Sequence, residues 1–411
     1  MIATIGTIYF IYVLVKLYIS VMEIGFVRRA KNEDAVVLSP ENYIKAAEYK
    51  VANERFNMVS TLVDYGMFLM WIGYGLGALE RLIIVDGGIM ESVLFLLSFM
   101  AINYVISLPF DIYGTFKKDK KFGFTTIDAK TYIVDQIKAA GIFLIAGSAL
   151  IALIAWIIMN LPQWWIWGFS AMFGVILFIN MIYPTLIAPI FNKFSPLSDS
   201  SLQEAIEGLL AKAGLKSSGV FTIDASKRDK RLNAYFGGLG KSKRVVLFDT
   251  LVEKLTQSEL LAVLGHELGH FKHKDIIKNI AMSALMLFVM FGIFGNLPTS
   301  LYEALHVKAG AHTIIALFML LSPVVSFVMM PLFGAMSRHN EYAADEYGSE
   351  CESKEALASA LMKLADENKS FPRSHPLSIA FYHTHPPLVE RLRQLGVPIQ
   401  ESHASESDYH V

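Results

Sequence analysis

Residues 139–192 read AAGIFLIAGSALIALIAWIIMNLPQWWIWGFSAMFGVILFINMIYPTLIAPIFN, 54 positions without an Asp, Glu, Lys or Arg. A bilayer core of about 30 Å takes roughly 20 apolar residues of helix, so this run is long enough for two crossings. Leu161, Pro162 and Gln163 interrupt it near the middle, where proline stops a helix, and Trp164, Trp165 and Trp167 suit the membrane interface. The run therefore reads as a tight transmembrane hairpin. Residues 279–302 and 309–337 are also uncharged, with 24 and 29 positions, each enough for one crossing. The whole chain of 411 residues is 54% hydrophobic and only 18% charged, with a mean hydropathy of +0.44. Soluble domains carry about a quarter charged residues, so a fully soluble protein and a disordered one are both excluded.

Working outward, seven crossings are predicted at 2–22, 57–79, 88–109, 139–160, 165–188, 279–298 and 312–336. The first is kept as an anchor, because its apolar stretch is long and lacks the preceding basic region of a signal peptide. Six basic residues fall in 23–56 (Arg28, Arg29, Lys31, Lys45, Lys50, Arg55) and six in 110–138 (Lys117, Lys118, Lys120, Lys121, Lys130, Lys138). The loops of the opposite side hold one, none and one. The positive-inside rule then puts the N-terminus outside and the polar segments in the cytoplasm. A net charge of -1 gives no electrostatic case for nucleic acid, and Cys351, the single cysteine, allows no intrachain disulfide and gives no evidence for a thiolate metal site.

The expected fold is mainly α: a polytopic membrane protein of seven transmembrane helices with a small α+β domain formed by two cytoplasmic segments. Five crossings lie in 1–192. The first polar piece is 193–278, crossings six and seven lie in 279–337, the second polar piece is 338–400, and 401–411 reads as a solvated tail. Within the first piece, 201–213 has the period of an amphipathic helix, and 220–224 and 244–249 read as strands. NAYFGGLGKSK, 233–243, is a turn-rich stretch able to form or border an edge strand.

HELGH at 266–270 carries the chemistry. On a helix, positions i and i+4 share a face, so His266 and His270 can direct imidazole nitrogens at one ion. Glu267, about 100° round the helix from His266, stands beside that ion, where a carboxylate can take a proton from an activated water. In a chain of this length and composition the pattern is expected by chance on the order of 0.01 times. Catalytic zinc usually has three protein ligands. Glu341 in NEYAADEYG is the candidate third, with Glu346 and Glu350 as alternatives from spacing alone and Asp345 placed to orient a ligand. From His270 to Asn279 an unbroken helix would run about 14 Å, and Glu341 lies just past the seventh crossing, so the ion is expected at the bilayer boundary. His385 and Arg391, around the Pro-Pro helix start of HTHPPLVERL, read either as oxyanion donors or as ordinary capping and surface charge. His273 reads as a surface residue.

With these residues in view the chain resembles the type I CAAX prenyl protease family of integral-membrane zinc metallopeptidases. The likeness is carried by LPFDIYGTF (108–116), KFGF (121–124), YPTLIAPIFNKFSPL (183–197), NAYFGG (233–238), RVVLFDTL (244–251), VLGHELGH (263–270), EYAAD (341–345) and HPPLVERL (385–392). The resemblance implies seven membrane helices around a water-filled chamber, one Zn²⁺ per chain held by His266, His270 and Glu341, and Asp345 supporting a ligand. It also implies substrate-holding or transition-state roles for Asn233, Tyr235, His385 and Arg391, with the NAYFGG stretch pairing to the substrate main chain. The chain departs from the family at FKHKDI, which lacks a further glycine-histidine pair, and in its short loop before HELGH. It also ends without an endoplasmic reticulum retrieval signal. A bacterial cytoplasmic membrane is the expected location, or the endoplasmic reticulum if the chain is eukaryotic.

The expected function is a zinc metalloendopeptidase that cleaves near the C-terminus of prenylated or membrane-associated proteins. Its partners are then a peptide or protein substrate and the bilayer. The alternative within the enzyme class is a membrane quality-control protease with no prenyl requirement. A transporter, for which Lys16, Asp64 and Glu91 are the intramembrane charges, is the reading from another class.

Overall fold

The computed structural model describes residues 1–215, 219–237 and 244–399. The expected tail, 401–411, and residues 238–243 of the turn-rich stretch lie outside the described residues. Seven described helices are long and apolar enough to cross a membrane: α1 (Ile2–Ala30), α2 (Pro40–Ile83), α3 (Ile89–Asp119), α4 (Ala129–Asn160), α5 (Trp164–Phe191), α9 (Asp275–Gly295) and α11 (Ala311–Cys351). The number agrees with the expectation, but several helices are longer than their apolar cores. The charged stretches 40–56 and 129–138, expected as loops, continue α2 and α4, and α1, α3 and α11 project similarly. Hydropathy marks only the part of a helix that needs lipid. Its capped, amphipathic extension carries no such mark, as where Ser39 caps the start of α2 by accepting from the Asn42 N–H. The hairpin turns at 161–163 as expected, with Gln163 left-handed at φ 49°.

The helices follow one another around a ring. α1 packs on α2, α3 on α4, α4 on α5, α5 on α9, α9 on α11, and α11 on both α3 and α1. Only 11–33% of each apolar window is buried inside the protein. A cluster that includes Tyr9, Phe68, Trp71, Phe95, Leu96, Phe99, Leu301 and Tyr302 seals one part of the ring. Lys16 and Asp64 line a cavity of about 250 Å³ between α1, α2, α3 and α11. Glu91 is different: it closes the first turn of α3, accepting the N–H groups of Val85, Asp86 and Gly87.

Beyond the fifth crossing come β1 (Phe194–Pro196), α6 (Ser200–Lys212), β2 (Val220–Ile223), β3 (Ala234–Gly237), β4 (Arg244–Phe248), α7 (Asp249–Lys254) and α8 (Gln257–Lys272). The sheet order is β1-β2-β4-β3, with β2 parallel to β4 and the outer strands antiparallel. Among the described residues β3 is therefore an edge strand, and it lies within the expected stretch. β1 was not expected, since a three-residue strand leaves almost no periodicity to read. Ile206, Val245, Leu247, Leu251, Leu264 and Leu268 form the core beneath the sheet. Thr256 and Glu259 make a capping box at the start of α8. The same Glu259 accepts from Ser359 and Lys363 of α12 (Lys354–Glu367), fastening α8 between sheet and C-terminal helices. α10 (Thr299–Ala304), α13 (Pro376–Tyr382) and α14 (Leu388–Gln394) complete the chain.

Candidate metal centre

α8 and α11 approach closely because glycines face each other's helices. A Cβ on Gly269 would lie 2.8 Å from the Ala344 Cα, and one on Gly348 would lie 2.8 Å from the His266 backbone nitrogen. This approach brings the third donor to the histidine pair. His266, His270 and Glu341 each offer a ligand atom, all within 4.8 Å of one another, and among the described residues they form the candidate metal group, without Glu346 or Glu350.

The His266 Nε2 lies 3.5 Å from Glu341 Oε2, and the His270 Nε2 lies 3.2 Å from Oε1. Each ring turns its other nitrogen to a carboxylate, His266 Nδ1 to Asp345 at 2.8 Å and His270 Nδ1 to Asp275 at 3.0 Å. A carboxylate accepts only, so each Nδ1 donates and each Nε2 is presented to Glu341. Glu341 is 3% exposed, and its Oε2 is buried without a hydrogen-bond partner. A buried carboxylate oxygen left unpaired beside two imidazole nitrogens fits a divalent cation. Burial disfavours the charged His270 ring, yet its bonds to Glu341 and Asp275 outweigh this and lift it to about 9. A cation arriving at this site displaces that proton.

The remaining expected residues divide into two sets. Arg391 donates to both oxygens of Asp345, with Nε at 2.8 Å, and its Nη2 stands 3.7 Å from Glu341. The His385 Nε2 is 3.3 Å from Glu341 Oε1. His385 presents 61% of its side chain to solvent, while its surroundings still lower its pKa by desolvation. That combination belongs to a wet recess walled by protein. Glu267 is near enough to feel the charges of His266, His270, Glu341 and Arg391, and burial raises its pKa. Tyr235 belongs to β3, and Asn233 immediately precedes that strand. The Asn233 side chain accepts from the Ala234 N–H, and Tyr235 pairs with Val246. His273 ends α8 as its C-cap and lies outside the metal group.

Sequence reasoning missed Asp275. It assumed one helix from His270 to Asn279, but α8 stops at Lys272 and α9 begins at Asp275, with Lys274 left-handed at φ 59° between them. The turn folds Asp275 back onto the His270 ring, and Lys278 donates to the other oxygen of its carboxylate at 2.8 Å. An acidic residue five positions past the second histidine was the available signal. Asp275→Asn should weaken metal binding about 10–100-fold, because a neutral amide with one acceptor oxygen replaces the charged carboxylate that serves both the His270 ring and Lys278. Competition with a chelator of known affinity measures this, and an unchanged constant would remove Asp275 from the site.

Residues 196–398 match the family model described as peptidase family M48, and residues 28–193 match that described as CAAX prenyl protease N-terminal, five membrane helices. The chain belongs to peptidase family M48. A curated relative, the CAAX prenyl protease 1 homolog of Oryza sativa subsp. japonica, is 31% identical over 384 residues, covering 87% of this chain and 88% of its own. CAAX prenyl protease 1 of Saccharomyces cerevisiae is 30% identical over 391 residues, covering 87% and 86%. The crystal structure of S. mikatae Ste24p superposes with a TM-score of 0.88 at 29% identity, over 95% of this chain and 98% of that one. This M48 member is thus a multi-pass membrane metallopeptidase with its membrane helices around a chamber, acting on peptide or protein substrates.

Proposed function

We propose that the chain is a zinc endopeptidase that trims the C-terminus of prenylated, membrane-associated proteins. The observation that carries the reading is the place of Glu341. It sits on the same unbroken 41-residue helix that crosses the membrane, so the metal donors open where a lipid-anchored peptide is held. A His₂Glu donor set suits zinc. When bound, zinc supplies Lewis acidity, lowering the pKa of water towards 7 and polarising the scissile carbonyl.

The chain's own groups do the rest. Glu267 accepts the proton of the attacking water and passes it to the leaving amine, a role suited to a carboxylate whose pKa burial has raised. His385 and Arg391 face the carbonyl oxygen as its charge grows, with Asp345 bracing both Arg391 and His266. The outer edge of β3, unpaired among the described residues, pairs with the substrate backbone, with Tyr235 on the strand and Asn233 just before it. The division of the chain into 1–192, 193–278, 279–337 and 338–400 follows this reading. The lysine and arginine distribution puts the metal centre on the cytoplasmic side and the N-terminus outside.

The test uses detergent-purified protein and two peptides of one CAAX sequence, one farnesylated and one not, with a zinc chelator and with zinc restored. Mass spectrometry should show loss of the last three residues, only with metal and much faster from the farnesylated peptide. Equal rates on the two peptides would reject prenyl recognition. Cleavage that survives the chelator would reject the metal mechanism.

A further inference from the structure

Among the described residues the two most deeply buried carboxylates are Asp345 and Glu23, each at 0% residue exposure. Asp345 stands against His266. Glu23 belongs to α1, which supplies none of the metal donors, and burying an isolated carboxylate is costly unless its surroundings use it. Its surroundings are specific. One oxygen accepts from the Ser374 hydroxyl at 2.7 Å and the other from the His375 N–H at 2.8 Å. Lys50 of α2 stands 3.4 Å from Glu23 and 3.4 Å from Glu54, and the Ser20 hydroxyl donates to Glu54 at 2.9 Å.

From Ser374 the connection continues. Its oxygen is 3.2 Å from the His383 Nε2 and, having given its proton to Glu23, accepts from that nitrogen. Two residues later comes His385, at 3.3 Å from Glu341. α13 lies between these points and packs on both α1 and α11. Its far end is held from the other side by Arg338, which donates to the carbonyls of Ile379 and His383 at 2.8 and 2.7 Å. Glu23 and Arg338 thus clamp the segment 374–383 at its two faces, and His385 hangs from the clamped end.

We propose that Glu23 is a positioning residue for His385: through Ser374 and His383 it ties the segment carrying that imidazole to the first membrane helix. The inference rests on the peptidase reading given above. It makes α1, which contributes nothing to metal binding, a determinant of turnover. Glu23→Gln puts an amide against two donors that both need an acceptor, and Ser374→Ala cuts the same tie by one oxygen atom.

The experiment measures both variants in the full-length protein on a peptide that the wild-type protein cleaves. The expected result for each is a kcat lowered about 10–100-fold, KM within about two-fold, one metal per chain and little change in the unfolding temperature. The double variant should be no slower than Glu23→Gln alone, because both changes break one chain of bonds. Wild-type kcat in Glu23→Gln would overturn the proposal, as would loss of metal or a collapse of the melting temperature in both variants, which mark a merely structural role. Additive losses in the double variant would do the same. Failure of the wild-type protein to cleave any peptide would instead count against the peptidase reading.

Discussion

Glu267→Gln should lower kcat by about 10²–10⁴-fold while the protein still binds one metal ion per chain. The amide keeps the shape of the carboxylate and cannot take a proton, so the substitution separates proton transfer from metal binding. His266, His270 and Glu341 remain, and their Nδ1 partners Asp345 and Asp275 are untouched. Glu267 is drawn towards its protonated form by burial, so the loss of a titratable group there should also flatten the acidic limb of the rate profile. Turnover on the farnesylated peptide together with metal content by mass spectrometry decides the matter. A variant with full metal and a kcat within a few-fold of wild type would take Glu267 out of the mechanism.

The second large effect is expected at Glu341. Glu341→Gln should reduce metal affinity by well over the 100-fold that follows loss of an outer partner, since a ligand itself is replaced. It also puts an N–H group where the unpaired Oε2 now lies. Metal binding to the native state raises stability by about 4 kcal/mol at a thousandfold excess over the dissociation constant, so wild-type protein should melt measurably higher with metal than with chelator. The variant should melt at one temperature in both. A metal-dependent rise as large as that of wild type would show that the third donor lies elsewhere.

The legible parts of this molecule were those whose signal is local. The 54 uncharged residues fix a hairpin because the bilayer reads hydropathy over 20 residues, and HELGH fixes two donors because one helical turn brings positions i and i+4 together. Glu341 was not legible in that way. Spacing left Glu346 and Glu350 beside it, and only the family resemblance selected it before the glycines facing α8 explained why that turn of α11 comes close. Asp275 was marked only by its being an acidic residue five positions past the second histidine, and Glu23 was not legible at all. One depends on a single left-handed residue, Lys274, and the other joins positions more than 340 residues apart. The charged extension 40–56 was missed because its hydropathy is that of a loop, although Ser39 and Pro40 mark a helix start.

The donors come from helices separated by a further membrane crossing: His266 and His270 precede α9, and Glu341 follows the lipid-spanning part of α11. During synthesis the ribosome delivers the histidines about 70 residues before the glutamate, and Arg391 later still. A growing chain therefore has two loose imidazoles and no complete metal cage until its last crossing has been inserted and folded back. Destructive capacity is withheld from a newborn molecule by the order of its own biogenesis.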